Sequence, residues 1–127
     1  MYINYKNLIY SIIILTLLDA IYLTSFSGHF KQQVYDVQQS PMQFRWIPTI
    51  ICYITIIFSI NYFVLQTDKT IKQKIIDAIF LGLSIYTIYE TTNMAIFKDW
   101  NIKSVLIDSI WGGILFGLTT FIIVKLL

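Results

Sequence analysis

Charge is what this sequence has least of. Asp, Glu, Lys and Arg make up 13% of its 127 residues, against about a quarter in soluble domains. That shortfall excludes an ordinary soluble fold. With 57% hydrophobic residues and a mean hydropathy of +0.69, such a fold would expose patches that drive aggregation. The nine basic residues barely outnumber the seven acidic ones. No basic stripe is present, so nucleic acid is not an expected partner. Cys52 is the single cysteine, which excludes an internal disulfide. Inside an apolar run it reads as a small hydrophobe. His29 is the single histidine, so no His/Cys cluster exists to hold a metal, and no cofactor is expected. A Ser-His-Asp order, a phosphate-binding glycine loop and a CxxC pair are missing as well.

What the sequence has instead is four long apolar runs. About 20 such residues cross the hydrocarbon core as a helix. The runs are Asn7–Ser25, Ile47–Leu65, Ile75–Phe97 and Ser104–Leu127. Each is far longer than the ~10 residues of a barrel strand. Asp19 interrupts the first run, no small-residue cleavage site follows it, and three further spans come after, so it reads as a retained helix rather than a secretory signal. The expected fold is an all-α integral membrane protein, one transmembrane domain over residues 1–127. Residues 26–46 form the longest connector. Phe30, Val34 and Val37 recur there at helical spacing, which predicts a short amphipathic helix on the membrane surface, ended by Pro41. Pro48 falls in the first turn of the second span, where its missing N–H costs little.

Four spans put both termini on one side. Lys6, Lys69, Lys72, Lys74 and Lys125 fall on that side, against Lys31, Arg45, Lys98 and Lys103 on the other. The compact Lys69/Lys72/Lys74 group orients the termini to the cytoplasm, in the cytoplasmic membrane if the host is bacterial. Trp46 and Trp100 lie at span boundaries on the opposite side, where an indole satisfies both its apolar ring and its N–H.

Ionisable groups inside a span are costly, at about 2.5–3.5 kcal/mol for an Asp at the helix centre on insertion scales. Asp77 lies near a span end beside Lys74, and a surface ion pair accounts for it. Asp19, Glu90 and Asp108 need another explanation. Topology places all three roughly 6–10 Å below the same boundary, counted at 1.5 Å per residue. Tyr86, Glu90 and Asn93 share one helix face, as do Asp108, Trp111 and Gly112, and Asp19 and Tyr22. Desolvated like charges cannot all remain ionised, so at least one of the three acids is expected to carry a proton at neutral pH. The alternatives are a bound cation or pairing with Arg45 or His29 from the same side. Gly113 and Gly117 form a GxxxG, a packing face either within the bundle or between copies. The pattern LDAIY, IDAIF and IDSIW recurs in three spans and suggests an internal repeat, although isoleucine is abundant enough to produce one copy by chance.

The motifs LDAIY at 18–22, Gly82 with Tyr86 and YETTN at 89–93, Ala95, Trp100, and IDSIWGG at 107–113 together resemble a widespread bacterial family of predicted membrane proteins catalogued only as a domain of unknown function. The likeness covers nearly the whole chain. Tyr22 stands where that family usually has Trp, Glu90 where it has Asp, Thr91 where it has Leu, and Asn101 where it has Pro. The resemblance implies four transmembrane helices. It also implies that Asp19, Glu90, Asn93, Asp108 and Trp111 are the residues to test, without supplying a reaction.

Three functional readings follow. In the first, a proton- or cation-linked transporter or channel uses Asp19, Glu90 and Asp108, oriented by Asn93 and Tyr86. Four helices make a thin wall around a pathway, so this reading implies a homo-oligomer. In the second, the acids serve a membrane-embedded enzyme or binding protein for a lipid-like substrate, with Trp111 and Tyr22 lining an apolar slot. In the third, the acids only hold helices or partner subunits together.

Overall fold

Hydrocarbon offers the backbone no hydrogen bonds, so a chain crossing it must pair its own N–H and C=O groups, and helices do so. In the computed structural model, which describes residues 4–127, every apolar run is a helix, and no strand occurs among the described residues. Helix α1 spans Tyr5–Ser25 and α2 spans Ser27–Gln38. Helix α3 spans Trp46–Leu65, α4 spans Ile71–Ile96 and α5 spans Ile102–Leu126. Helices α1, α3, α4 and α5 are long and apolar enough to cross a membrane. Their outward faces carry large hydrophobes such as Ile9, Leu17, Ile21, Ile54 and Ile88. Apolar solvent is what such faces require, and the chain is an integral multi-pass membrane protein.

The spans start and stop for local reasons. Asn4 accepts from the Asn7 amide at 3.2 Å and caps α1. Thr70 accepts from Gln73 at 3.1 Å and starts α4 four residues before the run at Ile75, so Lys72 and Lys74 fall inside the helix. Asn101 accepts from Lys103 at 2.8 Å and caps α5. Pro48 sits in the first turn of α3, as expected. Helix α2 stops at Gln38, where Gln39 turns left-handed (φ 57°) two residues before Pro41. The last turn of α3, Asn61–Leu65, is π-helical. At its start the Asn61 amide bonds both the Ile57 carbonyl (2.8 Å) and Ser11 of α1 (2.9 Å).

Asp77 is explained by an ion pair, but with a different partner. Lys69, in the loop before α4, reaches it at 2.7 Å, and Gln73 donates to its other oxygen at 2.7 Å. Lys74 instead donates to the Leu65 carbonyl, which the end of α3 leaves free. Cys52 faces outward rather than into the bundle.

Helices α4 and α5 make the most intimate contact. A Cβ at Gly82 would stand 2.0 Å from the Gly112 carbonyl oxygen, and one at Gly112 would stand 2.5 Å from that of Gly82. The two backbones therefore touch, which only glycine allows. The GxxxG packs inside the chain as well. Gly117 receives Ile79 of α4, whose Cγ1 lies 2.5 Å from where a Cβ would be, and Gly113 lies against the same residue. Near the midpoints of α1 and α5, Leu15 and Leu115 are fully buried, joined by Ile60 and Phe116. These side chains form one apolar layer, beside which the buried Ser11–Asn61 pair lies.

Candidate functional site

In α1 the buried residues are Ser11, Leu15, Asp19 and Tyr22, one helical stripe facing the bundle. Asp19 lies six residues before the end of α1 at Ser25. Glu90 lies six before the end of α4 at Ile96, and Asp108 six after the start of α5 at Ile102. Six residues rise about 9 Å, so the three carboxylates lie in one layer beneath one end of the bundle. All three are buried, Glu90 completely.

Two of the acids are satisfied by aromatic donors. Trp111 Nε1 donates to Asp19 Oδ1 at 3.0 Å, and the Tyr53 hydroxyl donates to Asp19 Oδ2. The Tyr22 hydroxyl donates to Asp108 Oδ1 at 3.1 Å. The rings of Tyr22 and Trp111 stack at 4.6 Å and 13°, which fixes both donors. Glu90 differs. Neither of its carboxyl oxygens has a hydrogen bond of normal geometry, and the nearest donor is the Trp100 indole N–H, which is itself buried and otherwise unpaired.

The expected amphipathic connector forms, but it docks on the bundle end rather than resting only on a membrane surface. Phe26 and Phe30 pack on the Tyr22 ring at 5.1 and 5.9 Å. Buried Gln33 holds the turn between α4 and α5. Its Nε2 donates to the Asp99 carbonyl (2.9 Å), and its Oε1 accepts from the Asn101 amide and the Ser104 hydroxyl, both at 2.8 Å. His29 contacts Ser104 at 2.8 Å. Helix α2 thus covers the carboxylate layer. Gln33→Ala strands these partners, and losing such bonds costs about 1–3 kcal/mol. Amide exchange across Ser27–Gln38 should accelerate roughly ten- to a hundredfold. Unchanged exchange there would mean that α2 docks by its aromatic residues alone.

Asp19, Tyr86, Glu90, Asp108 and Trp111 come together. Tyr86 packs edge-on to Phe116 and against Gly112, beside Asp19 and Asp108. Asn93 is half-buried one turn further on, next to Tyr89, and bonds none of the carboxylates. Arg45 is exposed at the start of α3 and His29 turns to Ser104, so neither pairs with an acid. The one ion pair among the described residues, Lys69–Asp77, lies at the other end of the bundle. No group of three His, Cys, Asp or Glu side chains among the described residues is arranged to hold a metal ion. Trp46 is 71% exposed, as a boundary indole should be, whereas Trp100 buries its N–H beside Glu90. The sequence reading missed Tyr53. It lies seven residues into α3, at the depth of the acids, and the same counting of depth along that span would have found it.

No curated protein matches this chain, and no solved structure does. The family described as Predicted membrane protein (DUF2177) matches residues 4–124, and the chain belongs to that family.

Proposed function

We propose that this chain is a proton-handling membrane protein, a proton-linked transporter whose exchangeable proton resides in the layer of Asp19, Glu90 and Asp108. The observation that carries the reading is Glu90, fully buried with neither carboxyl oxygen in a hydrogen bond of normal geometry. A buried carboxyl with no well-formed internal bond is a poor structural fastener, because its burial costs more stability than a distorted contact returns. Inside a membrane such residues mark ion and proton pathways. Asp19 and Asp108 accept well-formed hydrogen bonds from Trp111, Tyr53 and Tyr22, and Glu90 accepts none. Glu90 is then the group that carries the proton.

The apolar layer of Leu15, Ile60, Leu115 and Phe116 separates the carboxylates from the opposite face. A standing water channel through one chain is therefore disfavoured. Transport requires that layer to open, or a second copy to complete the pathway. With both termini cytoplasmic, as the Lys69/Lys72/Lys74 group favours, the carboxylates serve the outer leaflet.

A second reading, binding or chemistry on a lipid-like substrate, draws support from a groove between α1 and α3. It measures about 350 Å³ and reaches Tyr53, which bonds Asp19. Liposomes with an internal pH dye separate the two. Under imposed H⁺, Na⁺ and K⁺ gradients, wild type should acidify the lumen above empty vesicles. Folded Glu90→Gln and Asp108→Asn should lose most of that flux. Flux equal to empty vesicles under every gradient rules out transport and leaves the lipid-like reading.

A further inference from the structure

The groove between α1 and α3 opens toward the bilayer, since Ile12, Ile54 and Phe58 on its rim are exposed. Leu8 and Ile12 of α1 stand opposite Ile54, Ile57 and Phe58 of α3 across about 350 Å³. The wall is almost wholly carbon. The polar tips of two lining residues are engaged elsewhere. The Tyr53 hydroxyl donates to Asp19, and the Asn61 amide donates to Ser11 and to the Ile57 carbonyl. A wall that offers so few hydrogen-bonding atoms disfavours a polar ligand and suits a hydrocarbon chain.

The groove is about one leaflet long. Along α3 it runs from Tyr53 to Gln66, about 20 Å at 1.5 Å per residue. One leaflet contributes about 15 Å of hydrocarbon. The open end lies at Gln66, where α3 finishes, and the deep end lies at Tyr53 and Thr16.

The end of the bundle at which the groove opens is basic. Lys6, Lys69, Lys72, Lys74 and Lys125 outnumber Asp68 and Asp77 there, and Lys69 neutralises Asp77. Lys74 reaches the Leu65 carbonyl at 3.2 Å, beside Gln66 at the groove's mouth. A carbonyl leaves the lysine charge uncompensated. Lys72 is exposed one step away. Basic groups just beyond a span attract anionic lipid.

We infer that this groove binds one acyl chain of an anionic glycerophospholipid from the leaflet at the terminus end, with Lys72 and Lys74 facing its phosphate. The inference goes beyond the proton reading and does not depend on it, because none of the three carboxylates lines the groove.

Two photoreactive lipids test it. Phosphatidylglycerol and phosphatidylcholine, each carrying a diazirine near the end of one acyl chain, are added at low mole fraction to phosphatidylcholine nanodiscs holding the full chain. After irradiation, peptide mapping should place the phosphatidylglycerol label at the deep end of the groove, on Ile12–Thr16 and Tyr53–Ile57. Labelling there should exceed that by the phosphatidylcholine probe roughly tenfold. The double variant Lys72→Gln, Lys74→Gln should erase that preference, and glutamine at 74 keeps a donor for the Leu65 carbonyl. Ile12→Trp fills the groove from an exposed position and should cut the label roughly tenfold, by steric exclusion. Ile9→Trp, exposed on α1 outside the groove, should not. Label spread evenly over the outward faces of α4 and α5 is ordinary boundary lipid and overturns the site. Equal labelling of the groove by the two probes overturns the anionic assignment. Proton flux is read separately in liposomes, so either failure leaves the proton reading standing.

Discussion

Glu90→Met is expected to make the protein more stable while abolishing proton flux. The wild-type side chain is fully buried, and its carboxyl makes no hydrogen bond of normal geometry. Burying an unpaired polar group costs about 1–3 kcal/mol by mutational measures. Methionine is unbranched, of similar length, and adapts to irregular space. The variant should therefore gain roughly 1–3 kcal/mol of resistance to unfolding in detergent, the usual sign of a residue kept for function at the expense of stability. Asp19→Ala should behave in the opposite way, because it strands the donors of Tyr53 and Trp111. Each stranded donor costs about 1–3 kcal/mol. Thermal unfolding followed by circular dichroism, run on both variants, reads the contrast. A Glu90→Met that unfolds as readily as Asp19→Ala would make Glu90 a structural residue.

The largest structural effect should come from Gly82→Leu. Any Cβ there meets backbone, the Gly112 oxygen at 2.0 Å and the Gly112 carbonyl carbon at 2.8 Å, with Phe116 Cβ also at 2.8 Å. Backbone cannot move aside as a flexible side chain can, so α4 and α5 must separate. Overpacking usually costs about 1–3 kcal/mol, and more where nothing can yield. Separating α4 and α5 also pulls apart the helices that carry Glu90 and Asp108. Little monodisperse protein should survive size-exclusion chromatography. Gly28→Ala is the control, since a Cβ there meets nothing within 4 Å. A normally folded Gly82→Leu would contradict the close crossing at Gly82 and Gly112.

The four spans were legible because hydropathy sets them and the bilayer fixes their length. Counting residues from their ends was enough to bring Asp19, Glu90 and Asp108 to one depth, since helical rise converts sequence position directly into depth. Rotation about each helix axis is harder to read. Asn93 shares a face with Glu90 on a helical wheel, yet it lies beside Tyr89 because the bundle does not cover the last turn of α4. Glycine spacing revealed a packing motif at Gly113 and Gly117, but not that Gly82 meets Gly112, which depends on how two helices cross. Gln33 carried no signal at all. Its partners at Asp99, Asn101 and Ser104 come near only after the turn between α4 and α5 has formed. The pairing of Lys69 with Asp77 was obscured for a similar reason, since a loop residue competed with the helical neighbour Lys74.

The most direct test of the carboxylate layer is infrared difference spectroscopy of the reconstituted protein, titrated through neutral pH with and without ¹³C-labelled glutamate carboxyls. A protonated carboxylic C=O band should be present at neutral pH, shift with the glutamate label and vanish in Glu90→Gln. Three ionised carboxylates across the whole range, with no cation bound, would contradict the account.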